Sequence, residues 1–335
     1  MTDVDRYYQT VLLTIGLKEF LEQNDLGCRF VSAEPCFFEV GSQKEIFPDV
    51  VLQYDNDKFG ILCEIKTSLP AVDHFLLEEL KQVQLYSGQV EGWYTSNKKV
   101  NDHSIILLCH AVDSDRLVEK VSHWTNNGEL KISKKLCIAE WSIVESLKYE
   151  QRDVILVRHR LGDSGCSALD TKLRQNLRLE LDKLLTIYEK CRFTRKEPPI
   201  EYVMYQLWNC IFPALQEKAE DFTCGADELL KVAYDYFIPW SGLQGEYSQI
   251  RKKWIRKAMD AFCNIELAER LQSVTSGSSQ DSYNIFYGRR IQKDMSDYVV
   301  ERLCQRDIEE ARKRPIKEAL EEAQRKLVEF DQKNL

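Results

Sequence analysis

The sequence predicts a mixed α/β protein whose C-terminal half is mostly helical, and three observations carry that prediction. Apolar residues recur at helical spacing over 4–23, fall into strand-like runs over 29–39, 47–54 and 59–66, and return to helix over about 72–87. The polar stretch Asp55-Asn56-Asp57-Lys58 between the second and third runs is a hairpin signal, and a strongly apolar strand follows at 104–110. From about Thr171 the pattern changes to helix, with Leu173, Leu177, Leu181, Leu184 and Leu185 recurring through a basic segment that ends near Lys196.

In chain order, Val4, Tyr7, Tyr8, Val11, Leu12, Ile15 and Leu17 give the first helix a broad apolar face. The elements up to residue 110 then read α-β-β-β-α-β, a layered mixed-sheet arrangement. A helix over 114–124 and strands over 136–143 and 153–158 extend the same sheet. Pro198-Pro199 punctuates the chain where a new helix can open. Helical stretches over 200–216, 227–237 and 245–271 follow, then the polar segment 273–282 and a strand pair around 283–291. Three helices and a hairpin are the order of a winged helix-turn-helix. In the tail, a helix over 297–330 is interrupted near Pro315, and Ile316, Leu320, Ala323, Leu327 and Phe330 form a short heptad-like seam. That seam fits packing on its own chain and a homodimer arm equally. The expected organisation is an α/β domain over 1–160, a helical connector over 161–197, a winged-helix-like domain over 198–292 and a helical arm over 293–335.

Composition narrows the function. At 44% hydrophobic and 30% charged residues the chain is globular, and no apolar run approaches the roughly 20 residues of a membrane span. The N-terminus lacks an apolar leader, so a cytoplasmic protein is expected. Eleven cysteines without a CxxC, and five histidines without zinc spacing, argue for reduced thiols and against zinc. Neither a GxGxxG nor a GxxxxGK[ST] loop occurs. The net charge of −8 is unevenly spread: −9 over residues 1–150 but +4 over 151–200. An acid-rich first half is either a solvated surface or a place where carboxylates gather around a cation.

The stretch that carries chemistry runs from Pro48-Asp49 to Glu64-Ile65-Lys66. Asp49 opens one strand of the hairpin, and Glu64 and Lys66 end the next. Residues i and i+2 of a strand share a face, so Glu64 and Lys66 project together, and hairpin pairing can bring Asp49 beside them. Two carboxylates at one spot make a hard-oxygen site suited to Mg²⁺ or Mn²⁺. A lysine there can hold a phosphate and position an attacking water, which fits metal-assisted phosphodiester hydrolysis. The plain alternative is a half-exposed hairpin with polar ends. Against it stands the whole pattern: a preceding helix, Pro-Asp at a strand start, and Glu-x-Lys ending an apolar strand.

On these motifs residues 1–145 resemble the PD-(D/E)XK nuclease superfamily, with its restriction-endonuclease-like mixed-sheet fold. Gln82-Val-Gln84-Leu-Tyr86 on the next helix is similar to the QxxxY signature of its RecB-like members. The resemblance implies that Asp49, Glu64 and the main-chain carbonyl of Ile65 bind Mg²⁺ or Mn²⁺, with Glu19 of the first helix as a further ligand and Glu22 behind it. It implies that Lys66 positions or activates water, and that Gln82 and Tyr86 support the lysine or touch the nucleic-acid backbone. A metal-dependent nuclease, acting on DNA and most simply an endonuclease, follows, of the kind found in restriction and phage-defence systems.

In the second half, Ile250, Trp254, Ala258, Ala261, Phe262 and Ile265 form an apolar stripe, and Arg251, Lys252, Lys253, Arg256 and Lys257 occupy the remaining surface. Such a helix can enter a major groove, and a following wing bearing Arg289 and Arg290 can touch phosphates. A solvated charged face explains the same residues. The competing function is a non-catalytic protein that uses a nuclease-like fold to bind nucleic acid or assemble with a partner subunit.

Overall fold

A computed structural model describes residues 3–54, 59–91, 93, 100, 102–144, 154–180, 197–215, 220–234, 246–271 and 282–287. The chain divides into two compact units, Met1–Pro199 with Lys231–Arg251, and Ile200–Leu230 with Lys252–Leu335. The 55–58 turn and the 293–335 arm lie outside the described residues.

The first unit begins with α1 (Asp3–Gln23), followed by β1 (Cys28–Ala33), β2 (Phe37–Glu39), β3 (Lys44–Ile46), β4 (Val50–Tyr54), β5 (Phe59–Lys66), α2 (Asp73–Leu85), β6 (Val90–Glu91) and β7 (Asp102–His110). After it come α3 (Ser114–Asn126), β8 (Leu136–Val144), β9 (Val154–Leu161), α4 (Ser167–Arg174) and β10 (Leu177–Glu180). Seven strands make one mixed sheet in the order β1-β4-β5-β7-β8-β9-β10. β5, β7 and β8 run parallel, and the flanking pairs are antiparallel. The parallel step from β5 to β7 contains α2, the crossover helix that such a connection requires.

The sheet curls, because α1 packs against both β1 and β10, strands at its opposite ends. Every residue from Val11 to Leu17 is buried as a result, including Thr14 and Gly16. A helix apolar on nearly all sides belongs inside a core rather than on a surface. Thr14 tolerates that position by returning its hydroxyl to the Thr10 carbonyl at 2.9 Å. Gly16 lets Leu179 of β10 approach, since a Cβ there would lie 2.8 Å from the leucine Cδ1.

On the other face lie α2 and α3. Leu76 and Leu80 of α2 and Leu117, Val121 and Trp124 of α3 close over Leu107, Cys109 and Ile138 of the sheet. A second cluster joins Val83 and Tyr86 to Val51, Leu62 and Ile105, with Phe37, Ile46 and Val90 from a small sheet ordered β3-β2-β6. The expected single strand over 29–39 is thus two strands in two sheets. Glu34, at φ 45°, turns the chain between them.

The expected connector helix through Leu177 is corrected as well. Asn176 adopts φ 64°, which ends α4, and Leu177 and Leu179 then bury while Arg178 stays exposed. That alternation is a strand, and it pairs with β9. Leucines four apart have the spacing of a helix face, but a left-handed residue between them resets the register. Residues 181–196 lie outside the described residues.

In the second unit, α5 (Ile200–Gln206) passes through a π turn (Leu207–Ile211) into α6 (Phe212–Leu215). Pro213 in the following turn has no N–H to give and crowds the carbonyl one turn back, which a wider turn relieves. Then follow β11 (Phe222–Gly225), α7 (Ala226–Tyr234), α8 (Glu246–Asn264), β12 (Ala268–Leu271) and β13 (Ser282–Ile285), with the sheet order β11-β13-β12; the end of α7 and the first turns of α8 fall in the segment Lys231–Arg251 that is counted with the first unit. The expected helix over 245–271 stops early because Glu266, at φ 62°, closes it. Its amide bonds the Cys263 carbonyl, and the Leu267 amide bonds the Phe262 carbonyl. Trp208, Phe212, Phe222, Phe262 and Tyr287 form an aromatic core. Among the described residues no helix is long and apolar enough to cross a membrane.

Leu13 is fully buried at the centre of α1. Leu13→Ala is expected to cost about 2–5 kcal/mol, the range for a large-to-small change in a core that cannot collapse. Urea unfolding should show the lowered midpoint; a loss below about 1 kcal/mol would mean that α1 is not enclosed.

Candidate functional site

Asp49 sits where β4 parts from β5. The two strands pair from Gln53–Gly60 to Val50–Cys63, and one residue earlier the Asp49 carbonyl turns to β1 and accepts the Glu34 amide at 2.9 Å. Pro48 contributes to this exit, having no amide for the ladder and holding Phe47 extended. Ile65 thereby loses a main-chain partner on the β4 side. The Asp49 carboxylate replaces it, with Oδ2 accepting the Ile65 amide at 2.6 Å in a site that is 1% exposed. In a strand a residue's N–H and C=O point to the same side, so the Ile65 carbonyl also faces the Asp49 side.

Glu64 and Lys66 stand on the face covered by α2, because Leu62, two and four residues earlier, packs on Val83 and Tyr86 there. Glu64 is held at both oxygens: Oε2 accepts the Tyr86 hydroxyl at 2.8 Å, and Oε1 lies 3.2 Å from Lys66 Nζ. Lys66 has a second carboxylate, Glu79 of α2, with Oε2 also at 3.2 Å. Burial opposes the charge on Lys66, but Glu64, Glu79 and Asp49 outweigh it and raise its pKa, so the side chain is an ammonium at neutral pH. Burial, reinforced by Glu64 and Asp49, pushes the Tyr86 phenol well above its ordinary value, keeping it a proton donor to Glu64. The Tyr86 carbonyl in turn accepts from His103 Nε2 of β7.

Asp49, Glu64, Ile65, Lys66 and Tyr86 are thus brought together. Glu79 belongs with them and escaped the sequence reading, although 79, 82 or 83 and 86 share a helix face by spacing. Gln82 is on α2 but exposed. Among the described residues Glu19 contacts its own helix rather than Asp49 or Glu64: it accepts from Gln23 Nε2 at 3.3 Å and lies 3.8 Å from Lys18, while Glu22 pairs with Lys18 at 2.8 Å. Among the described residues no three His, Cys, Asp or Glu side chains gather in a metal-binding group.

On α8, Lys253 and Lys257 are exposed, Arg256 is half-buried and Lys252 pairs with Asp227 of α7. Trp254, Ile255, Ala258, Met259 and Phe262 form its buried side. The Arg251 side chain, Arg289 and Arg290 lie outside the described residues.

Eight described cysteines are free thiols. Burial drives Cys109 and Cys137 up to about 12, which leaves them unreactive packing groups. Cys166 differs, since a hydrogen bond with Cys28 lowers it to about 6 against the effect of burial, but at 2% exposure it is closed to a substrate. Comparison of the chain with known protein families, with curated proteins and with solved structures finds no match.

His103 offers a pH test of this architecture. Burial, aided by Lys134, lowers its pKa, outweighing the bond to the Tyr86 carbonyl and the charge of Asp102. Below the unfolded value of about 6.5 the unfolded chain binds a proton that the folded chain refuses, so stability falls as pH falls. His103→Gln keeps a donor for Tyr86 and removes that loss. Urea titrations at pH 7 and pH 5 should show the variant losing less stability than wild type; equal losses would mean a solvated imidazole.

Proposed function

We propose that this protein is a metal-dependent nuclease of the PD-(D/E)XK type that hydrolyses phosphodiester bonds of DNA. The observation that carries the reading is the meeting of Asp49, Glu64 and Lys66 where β4 leaves β5, under a helix that contributes Tyr86. The order α1, three antiparallel strands β1, β4 and β5, then α2 and the parallel β7, supports a restriction-endonuclease-like core. The order α5, β11, α7, α8, β12, β13 with a β11-β13-β12 sheet supports a winged-helix-like second domain.

The donor set fits Mg²⁺ or Mn²⁺. Mg²⁺ is commonly bound by one or two carboxylates, with waters and substrate phosphate completing an octahedron, so two acids and a carbonyl are enough. Asp49, Glu64 and the Ile65 carbonyl would hold the ion, and once bound it would polarise the scissile phosphate and lower the pKa of a coordinated water. The chain's own part is positional. Asp49 is fixed by the Ile65 amide, and Glu64 by Tyr86 and Lys66, so neither carboxylate has to reorganise. Lys66, carrying its proton, acts as a charge beside the phosphate and orients the water rather than abstracting its proton. Exposed Gln82, one turn before Tyr86, is available to the nucleic-acid backbone.

A second reading, a non-catalytic binding or assembly protein, is favoured by one observation. Glu79 gives Lys66 a second anionic partner, as a purely structural ion-pair network would. Incubation with supercoiled plasmid, linear duplex and single-stranded DNA in Mg²⁺ or Mn²⁺ separates the two. Wild type should cut, and Asp49→Ala and Lys66→Ala should lose at least about a hundredfold in rate, as for removal of a positioned electrostatic group. Undiminished cutting by either variant would remove that residue from the mechanism. Absence of divalent-dependent cutting by wild type, with DNA still bound, would favour the second reading.

For the basic helix, Lys253→Glu with Lys257→Glu should weaken duplex binding and lower the salt slope of log K by about 2, roughly one per phosphate contact. An unchanged slope in an anisotropy titration would make this a solvated face.

A further inference from the structure

The face of the sheet that bears Glu64 and Lys66 continues beyond α3. Lys66 pairs with Cys109, Cys109 with Glu140, and Glu140 with Arg158, so one row of side chains crosses β5, β7, β8 and β9. Paired residues share a face, and three interstrand steps of about 4.8 Å separate Lys66 from Arg158 by about 14 Å. Arg160 lies at an irregularity of β9, where Ile138 pairs with Leu161 and Ala139 with His159, and its contact with Glu140 keeps it beside that row. On β10, Arg178 pairs with Leu156 and therefore stands on that face too.

Arg158 and Arg160 are held in place by acids. The side chain of Glu140 is only 3% exposed; it pairs with Arg158, lies 3.2 Å from Arg160 and accepts the Ser114 hydroxyl at 2.5 Å. Arg160 reaches Asp115 as well. The arginine side chains nevertheless remain 51% and 32% exposed, and a guanidinium has five donors to share. Arg178 is exposed and has no ion pair among the described residues. It lines a pocket of about 400 Å³ together with the apolar Val144, Val154 and Leu156 and the polar Gln175 and Asn176. Five of its six lining residues lie in the part of the chain, 151–200, whose charge is +4, against −9 for residues 1–150.

We propose that Arg158, Arg160 and Arg178 form a track for the sugar-phosphate backbone of the nucleic-acid strand that is cut beside Lys66. The inference rests on the nuclease reading and extends it by naming where the substrate strand leaves the site. Guanidinium groups match phosphate oxygens two at a time, and apolar lining residues accept a sugar or base face without reading sequence. The 14 Å between Lys66 and Arg158 corresponds to about four nucleotide steps along a duplex. The track explains how an acid-rich domain could hold a polyanion: its cations are concentrated on two outer strands, and one buried acid fixes Arg158 and Arg160.

Binding is measured without catalysis, by anisotropy of fluorescein-labelled duplex and single-stranded 20-mers in EDTA over a series of salt concentrations. Arg178→Gln, outside the Glu140 network, should lower the salt slope by about 0.9 on duplex or about 0.7 on single strands, while Arg178→Lys keeps it. Arg158→Gln with Arg160→Gln should remove about twice that, with thermal melting run alongside to exclude unfolding. Unchanged slopes in Arg178→Gln and in a folded double variant, with wild type binding and cutting DNA, would overturn the track and leave the nuclease reading standing. Failure of wild type to bind either DNA would overturn the track, and failure to cut in the separate Mg²⁺ assay would remove the nuclease reading with it.

Discussion

Where β4 separates from β5, a buried amide must find an acceptor that is not main chain, and the Asp49 carboxylate is that acceptor. A buried donor without a partner costs about 1–3 kcal/mol, so the strand exit and the acid are tied together. The bond holds a carboxylate at the strand end, on the side that the Ile65 carbonyl faces. Glu64 and Lys66 occupy the same strand end because the side-chain period of β5 leaves them on the face of α2. Tyr86 and Glu79 then reach them from that helix. Each polar group of the cluster is oriented by a neighbour.

The curl of the sheet encloses the strands that carry this strand end. By wrapping α1 on one face and receiving α2 and α3 on the other, β5 and β7 become central strands buried on both sides. Their sequences are accordingly almost continuous in apolar residues, as parallel strands between layers require. The polar residues at their ends stand out against that background, and the outer strands β9 and β10, not covered in the same way, carry arginines instead. The charge asymmetry along the chain therefore becomes an asymmetry across one sheet face.

Much of the site was legible because it depends on short-range periodicity. Pro48-Asp49 and Glu64-x-Lys66 lie on adjacent strands of one hairpin, and Tyr86 follows on the next helix, so pairing and face could be read from spacing. Glu79 was missed because its partnership with Lys66 depends on how α2 lies across β5, which no spacing within the helix reports. Glu19 shows the converse: its place near the end of α1 suggested a ligand, yet its contacts are with Lys18 and Gln23. The basic helix was legible as amphipathic, but Lys252 proved to be committed to Asp227 of another helix.

By itself the sequence determined the elements whose apolar period is long and unbroken: α1, α2, α3, β4, β5, β7 and α8, together with their order. It also determined which polar residues interrupt an apolar strand. The tertiary structure alone decided the joints, where single residues at positive φ, Glu34, Asn176 and Glu266, end one element and start another. A left-handed glutamate, as at 34 and 266, leaves no compositional mark, because its cost of roughly 1–3 kcal/mol is met by packing elsewhere. It likewise decided which strands become neighbours, placing β10 at the far edge and aligning Lys66, Glu140 and Arg158 in one row. Long-range pairing depends on the summed burial of two layers, a quantity no local window of sequence contains.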